Sequence, residues 1–494
     1  MDVHINLIGR RNLSGEIYRQ LRYAITEGRL RPGDCLPASR DLARSLQVSR
    51  TTVTVAYDRL AGEGFVVTRV GAGTYVSCHI ATESKKPRKA GVDSSLRPRA
   101  MWDSIYVSNA FAQPARFDFR TGLPDASLFP HQNWRRLMNR ELRRESLSMG
   151  VYAQAAGHRL LREAIARHIA VSRGVQTSPD EVTITSGAQQ AIDVVARVLL
   201  EPRDEVAMED PGYPVPRLLF ESLGMRVRGV PVDEQGIVVD AIPRAARLVY
   251  VTPSHQYPLG VTMSLPRRLA LLDWAARNNA AIVEDDYDSE FRFEERPIEP
   301  LQTLDTTGRV IYVGSFSKTL LPTLRLGFVV TPSSCTTAVH RAKYVTDWHT
   351  SMLAQGALAR FINDGSFARH LRKMNRVYRE RHELVKKIIT KDFADHLELI
   401  PSVAGLHMAA VARCASAEEI DRVLDQATER DVAVQSLAKF AVDAVRRPGL
   451  MIGYGAIATG DIQEGMKRLP TGWAARQVRI LRTGTLARVS VQVR

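Results

Sequence analysis

The chain has 494 residues, 45% of them hydrophobic and 24% charged, with a formal charge of +15. That length exceeds one core, so two or three domains are expected, and the composition excludes a disordered or fibrous chain. Cys35, Cys78, Cys335 and Cys414 lie far apart without ligand spacing, excluding a zinc or disulfide framework, and no apolar run spans a bilayer or reads as a secretion signal. A cytoplasmic location is expected. The charge is uneven: residues 1–100 hold 17 Lys/Arg against 9 Asp/Glu, a net +8. A compact basic region of this kind is the footprint of a polyanion binder.

The spacing of Ile17, Leu21, Ala24 and Ile25 predicts a first helix, with Ser14 as its N-cap and Gly28 as its stop. Pro32-Gly33 marks a turn. A second helix, "SRDLARSLQ", is expected to be capped by Ser39 and to bury Leu42, Ala43 and Leu46. After "VSR" a third helix should bury Val53, Ala56, Tyr57 and Leu60. Two short helices joined so tightly make a helix-turn-helix, and two β-prone runs around Gly71-Ala72-Gly73 read as a hairpin wing. The start of the third helix then faces base edges, through Ser49, Arg50, Thr51, Thr52 and Thr54. Arg40 and Arg69 suit phosphates, which position without reading sequence, and Gly71 in the wing turn is counted with the DNA-contacting set. The run "LRPGDCLPASRDLARSLQVSRTTVTVAYDRLAGEGFV" resembles the winged helix-turn-helix of the GntR regulators, which implies double-stranded operator DNA as partner.

Residues 78–115 are rich in Lys, Arg, Pro, Ser and Gly, and read as a flexible basic linker. From 116 to 470, apolar β runs alternate with amphipathic helices, which predicts an α/β domain with a mostly parallel sheet. Ligands of such sheets bind beyond the carboxyl ends of the strands. Polar motifs stand at those ends: Ser186–Gln189, Asp210–Tyr213, Ser254–Tyr257, Asp285–Tyr287 and Ser315–Lys318. A lysine between an apolar strand and an apolar turn is costly unless neutral, paired or covalently used.

"EDPGYP", "TPSHQYPLG", "EDDYDSEFR" and "GSFSKTLLPTLRLGF" resemble the fold-type I aminotransferases, over about 350 residues. The whole chain resembles the MocR subfamily of GntR regulators, in which a winged helix-turn-helix is fused to an aminotransferase-like domain with a small C-terminal α+β subdomain. The resemblance implies pyridoxal 5′-phosphate as cofactor, with Lys318 as its Schiff-base lysine. It implies Asp285 at the pyridine nitrogen, Tyr287 at the ring hydroxyl and Tyr213 stacked on the ring. Ala188, Gln189, Ser315, Ser317 and Arg325 are implied as phosphate contacts. A homodimer with shared sites is also implied, with Tyr152 reaching the neighbour's phosphate, as is a small-molecule effector.

The sequence departs from the enzymes near its C-terminus. Where aminotransferases place an arginine for the substrate carboxylate, "GLMIGYGAI" places Met451, with Arg446 and Arg447 close in sequence. Members of the subfamily that sense γ-aminobutyrate use an arginine two positions after the stacking tyrosine; here that position is Val215, with Arg217 next but one. These departures favour a regulator that reads the cofactor, or an amine or amino-acid adduct of it, without efficient turnover. The alternatives are a working aminotransferase with a DNA-binding appendage, or a DNA-binding architectural protein whose large domain has lost its ligand. Residues 471–494 carry five arginines and no acid, a basic tail without assigned role.

Overall fold

The computed structural model describes residues 5, 7, 12–69, 72–77, 97–103, 105, 115–145, 151–293, 299–442, 448–470, 477–480 and 489–492. The expected linker 78–115 lies largely outside them. The chain divides into two compact units, Met1–Trp102 and Asp103–Arg494.

The first unit packs helices α1 (Leu13–Thr26), α2 (Ser39–Ser45) and α3 (Arg50–Gly62) against a small antiparallel sheet. The apolar positions expected from periodicity face one core: Ile17, Leu21, Ala24, Ile25, Leu42, Ala43, Val53, Ala56, Tyr57 and Leu60 are buried, and Leu46 packs partly buried against them. The sheet has β1 (Cys35–Leu36) as an edge strand beside β3 (Gly73–Val76), which pairs with β2 (Val66–Arg69). The two-residue β1 was not anticipated, being too short to show alternation.

Both expected serine caps are corrected. Helix α1 begins at Leu13 behind Asn12, which leaves Ser14 inside the first turn. Likewise α2 begins at Ser39 itself, behind Ala38, and neither helix has a side-chain cap bond. The serine that caps is Ser49, whose Oγ accepts from the Thr52 amide at 3.1 Å and satisfies one of the free N–H groups at the start of α3.

In the second unit, eight strands form one sheet: β4 (Val182–Thr185), β5 (Glu205–Asp210), β6 (Arg226–Asp233), β7 (Gly236–Ile237), β8 (Ala246–Val251), β9 (Ala281–Asp286), β10 (Val310–Ser315) and β11 (Gly327–Val330), in the order β4-β11-β10-β9-β8-β5-β6-β7. The run β10-β9-β8-β5-β6 is parallel, while β11 is antiparallel to both its neighbours and β7 to β6. Strands β4, β9 and β10 are buried nearly throughout. That is why they read as continuous apolar runs rather than alternating ones. Helix α4 (Ala188–Leu199) follows β4 through Gly187, whose φ of 79° suits glycine.

A smaller sheet holds β12 (Leu397–Leu399), β13 (His407–Ala412), β14 (Gln435–Ser436) and β15 (Gly449–Gly453) in the order β12-β13-β15-β14. Its core includes Met408, Ala410, Leu450, Ile452 and Tyr454, against Phe117 and Phe119 from the start of the unit. In the tail, Gln477–Ile480 runs antiparallel to Val489–Gln492.

Candidate functional site

The parallel register brings the carboxyl ends of β5, β8, β9 and β10 side by side, so residues distant in sequence meet at one edge. Lys318 follows β10 by three residues, and its Nζ donates to the Gly122 carbonyl at 2.7 Å. Burial pulls its pKa below the ordinary lysine value, against the opposing pull of Asp288 and Asp285.

Asp285, the fifth residue of β9, is 3% exposed. Its Oδ2 accepts from the Tyr250 hydroxyl at 2.6 Å, while its buried Oδ1 has no hydrogen-bond partner. Burial pushes its pKa up to about 6, although the Tyr250 bond pulls it down. A buried oxygen without a partner can take a hydrogen bond from a ligand donor that reaches it.

The Tyr287 hydroxyl lies 2.9 Å from the His255 carbonyl and 3.0 Å from His255 Nδ1. His255 Nδ1 also lies 3.0 Å from Asp288 Oδ2. The Tyr213 ring meets the Tyr257 ring edge-on, with centroids 5.3 Å apart.

A cradle forms around the start of α4. Arg325, at φ 51°, donates from Nη2 to the Ser186 carbonyl at 2.8 Å. A Cβ on Gly187 would come within 2.8 Å of the same nitrogen, so only glycine leaves the guanidinium room. Ala188 and Gln189 are the first residues of the helix, where amides are free of intrahelical bonds and the dipole favours an anion. Gln189 Oε1 is buried and unpartnered. Ser315 Oγ accepts from the Ser317 amide at 3.1 Å.

Several residues of this site were missed in the sequence. Tyr250 sits within an apolar run, and Thr121-Gly122 lies almost 200 positions from Lys318. Neither carries a local signal. Met451 is in the centre of β15, fully buried between Ala409 on β13 and Gln435 on β14. Val215 is 41% exposed in the helix Pro214–Ser222. Arg446, Arg447 and Gly71 lie outside the described residues. Tyr152 is 74% exposed and stacks on Trp348 with ring centroids 4.2 Å apart.

Residues 13–76 match the family described as "Bacterial regulatory proteins, gntR family", and residues 121–468 match "Aminotransferase class I and II". The chain is 37% identical to the "Probable rhizopine catabolism regulatory protein MocR" of Rhizobium meliloti, over 93% of each chain. The chain belongs to the MocR-type GntR regulators. A second relative is the "HTH-type pyridoxine biosynthesis transcriptional regulator PdxR" of Corynebacterium glutamicum, 30% identical over 89% of this chain and 91% of its own. Among solved structures, LysN of Thermus thermophilus, an α-aminoadipate aminotransferase, is 29% identical with a TM-score of 0.66, covering 74% of this chain and 97% of its own.

As a MocR-type protein, the chain is a transcription regulator that joins a DNA-binding domain to an aminotransferase-like one. On the reading domain, Arg40, Ser49, Arg50, Thr51 and Arg69 are exposed, while Thr52 and Thr54 are partly covered. Arg50 Nε reaches Ser39 Oγ at 3.4 Å, which ties the start of α3 to α2. Thr54 donates its hydroxyl to the Arg50 carbonyl, so it offers DNA only an acceptor. Arg69 lies over the Tyr75 ring at 5.4 Å. No helix among the described residues is long and apolar enough to cross a membrane.

Proposed function

We propose that this cytoplasmic regulator binds pyridoxal 5′-phosphate in the pocket at the strand ends, and that the occupied pocket sets how the protein holds its operator. The observation that carries the reading is the pairing of Lys318 with an Asp285 whose second oxygen is buried and unsatisfied. A protonated pyridine nitrogen is the donor that oxygen lacks, and it would turn a buried carboxyl into a paired carboxylate. The cradle of Arg325, Ser315, Ser317, Ala188 and Gln189 suits a phosphate in charge and in donors. When bound, the cofactor supplies an electron-poor carbonyl carbon that holds amines covalently.

Each remaining residue then has a defined task. Asp285 keeps the proton at the ring nitrogen, and Tyr250 fixes which of its oxygens faces the ring. Lys318 is the covalent anchor. Tyr213 covers a ring face. With the Tyr287 hydroxyl proton on the His255 carbonyl, its lone pairs are left to accept from the ring hydroxyl. The exposed Tyr152–Trp348 pair suits a second copy of the chain, which would make the pocket a shared one and present two DNA-reading domains.

The deciding experiment measures operator binding with and without added cofactor, beside product formation from amino acids plus a keto acid. The expected result is cofactor-dependent DNA affinity and no rapid turnover. DNA binding indifferent to cofactor, together with multiple turnover, would favour the aminotransferase alternative. On the DNA side, Arg50→Ala is expected to relax base preference and cost ~1–3 kcal/mol at the operator. Arg69→Ala should weaken all sequences alike and flatten the salt dependence. Equal losses on operator and random duplex for both variants would remove Arg50 from the base-reading set.

A further inference from the structure

We propose that His255, Asp288 and His407 form a site for a divalent transition-metal ion, zinc by the character of the ligands, which fastens the small sheet to the strand ends of the large one. The site stands on these three side chains and does not depend on the cofactor.

The three come from distant stretches. His255 lies four residues beyond β8, Asp288 two beyond β9, and His407 opens β13 of the small sheet. They are 1%, 2% and 1% exposed. Each offers a ligand atom, and these atoms lie within 4.8 Å of one another, the one such group of His, Cys, Asp or Glu among the described residues. No local spacing announces a set drawn from three stretches, and the cysteine pattern does not bear on it.

The hydrogens point to a cation between them. The Ser402 hydroxyl donates to the Ala404 carbonyl at 3.2 Å, so Ser402 Oγ accepts from His255 Nε2, also at 3.2 Å. That puts a hydrogen of His255 on Nε2. In the neutral ring Nδ1 then presents a lone pair, and it faces only oxygen. Asp288 Oδ1 and Oδ2 lie 3.1 and 3.0 Å away, and the Tyr287 hydroxyl, whose hydrogen goes to the His255 carbonyl, lies 3.0 Å away. His407 repeats the pattern. Its Nε2 donates to the Pro258 carbonyl at 3.2 Å, which leaves Nδ1 as a lone pair, since burial disfavours a charged imidazole. Two lone pairs and a carboxylate repel one another unless positive charge stands between them. A proton on His255 Nδ1 would answer Asp288 and give His407 nothing. A divalent ion answers all three.

The outer partners fit as well. Metal-bound imidazoles donate their second N–H to an oxygen that fixes the ring, and both rings do so here, to Ser402 Oγ and to the Pro258 carbonyl. Two histidines and one carboxylate suit zinc, with a fourth position for water. Zinc bonds of about 2 Å hold ligand atoms no more than about 4 Å apart, so the ion would draw β13 toward the ends of β8 and β9.

The test grows the full-length protein in medium supplemented with zinc, and separately with cobalt, and measures metal after purification in low-metal buffer. The expected result is about one zinc per chain, a visible band of tetrahedral Co2+, and a higher Tm than in protein stripped with a chelator. His407→Ala and Asp288→Asn, with far-UV circular dichroism like the parent's, should each lose the ion and the gain in Tm. Ser402→Ala keeps all three ligands and removes only the outer partner of His255, so it should weaken zinc binding about 10–100-fold. Less than about a tenth of an ion per chain from both cultures would overturn the proposal and leave His255 a doubly protonated partner of Asp288. Parental metal content in both ligand variants would place the ion elsewhere and overturn it too. Should the ligand variants not fold, an unchanged zinc affinity in Ser402→Ala decides against the site.

Discussion

Lys318→Ala is expected to abolish the visible absorption band of the cofactor-loaded protein that borohydride bleaches in the parent. A lysine is a useful covalent anchor only if part of it is unprotonated, because the free amine is the nucleophile. Burial of Lys318 supplies that by lowering its pKa. Its bond to the Gly122 carbonyl aims the amine without adding a negative charge that would hold the proton. Alanine removes the nucleophile and leaves the cradle, Asp285 and Tyr213 in place. Phosphate and ring contacts should therefore still give weak, non-covalent binding, detectable by dialysis but not fixed by borohydride. Lys318→Arg should behave alike, since a guanidinium stays protonated. Lys343, also buried, is paired with Asp347 on its own helix and is not a substitute. If Lys318→Ala keeps the same reducible band, another amine is the anchor and the assignment fails.

How much of this was legible in the sequence follows from what sequence pattern encodes. The helix-turn-helix core was readable because each buried residue recurs at helical spacing within a single helix. The strand-end motifs were readable because a parallel sheet collects its strand ends at one edge, whatever the loops do. The caps were misread because Ser14 and Ser39 obey the local rule while the chain enters each helix one or two residues earlier, at Asn12 and Ala38. Capping depends on that entry angle, which composition does not show. The groups that tune the site were invisible for a different reason. Tyr250 meets Asp285 only because β8 and β9 are neighbours in register, and Thr121 meets Gln435 across 314 positions. Met451 was legible as a departure, but not as part of the buried apolar cluster it forms with Phe440 and Tyr257.

Asp285→Asn is expected to lower cofactor affinity by a hundredfold or more and to erase its dependence on pH below neutrality. The size follows from removing one partner of a buried charge pair, which costs about 3–5 kcal/mol. The pH dependence follows from the sign of the shift. Burial raises the Asp285 pKa from 3.8 to about 6. Without cofactor, ionising this group opposes the fold: the cost is absent below the unfolded value, grows as pH rises toward 6 and is complete above it. The gap amounts to about 3 kcal/mol. A pyridinium offers the missing partner, so the cofactor binds the ionised form. Below pH 6, a proton must leave Asp285 before the pair can form, and affinity should fall about tenfold per pH unit. Above 6 this dependence vanishes. Asparagine cannot ionise, so the variant should bind weakly with no slope arising from this position. Its apo form should be more stable than the parent at pH 7, because a buried charge has been removed. Glu209, buried nearby with a pKa pushed up to about 7 mainly by burial and in part by the Asp285 charge, is relieved of that repulsion in the variant, which adds to its apo stability at pH 7. Measured by equilibrium dialysis from pH 5 to 8 and by urea unfolding of the apo forms, weaker binding paired with higher apo stability is the signature of a carboxylate held unsatisfied for a ligand. A variant that loses both affinity and stability would show that Asp285 serves the fold instead, and the cofactor would then need another partner for its ring nitrogen.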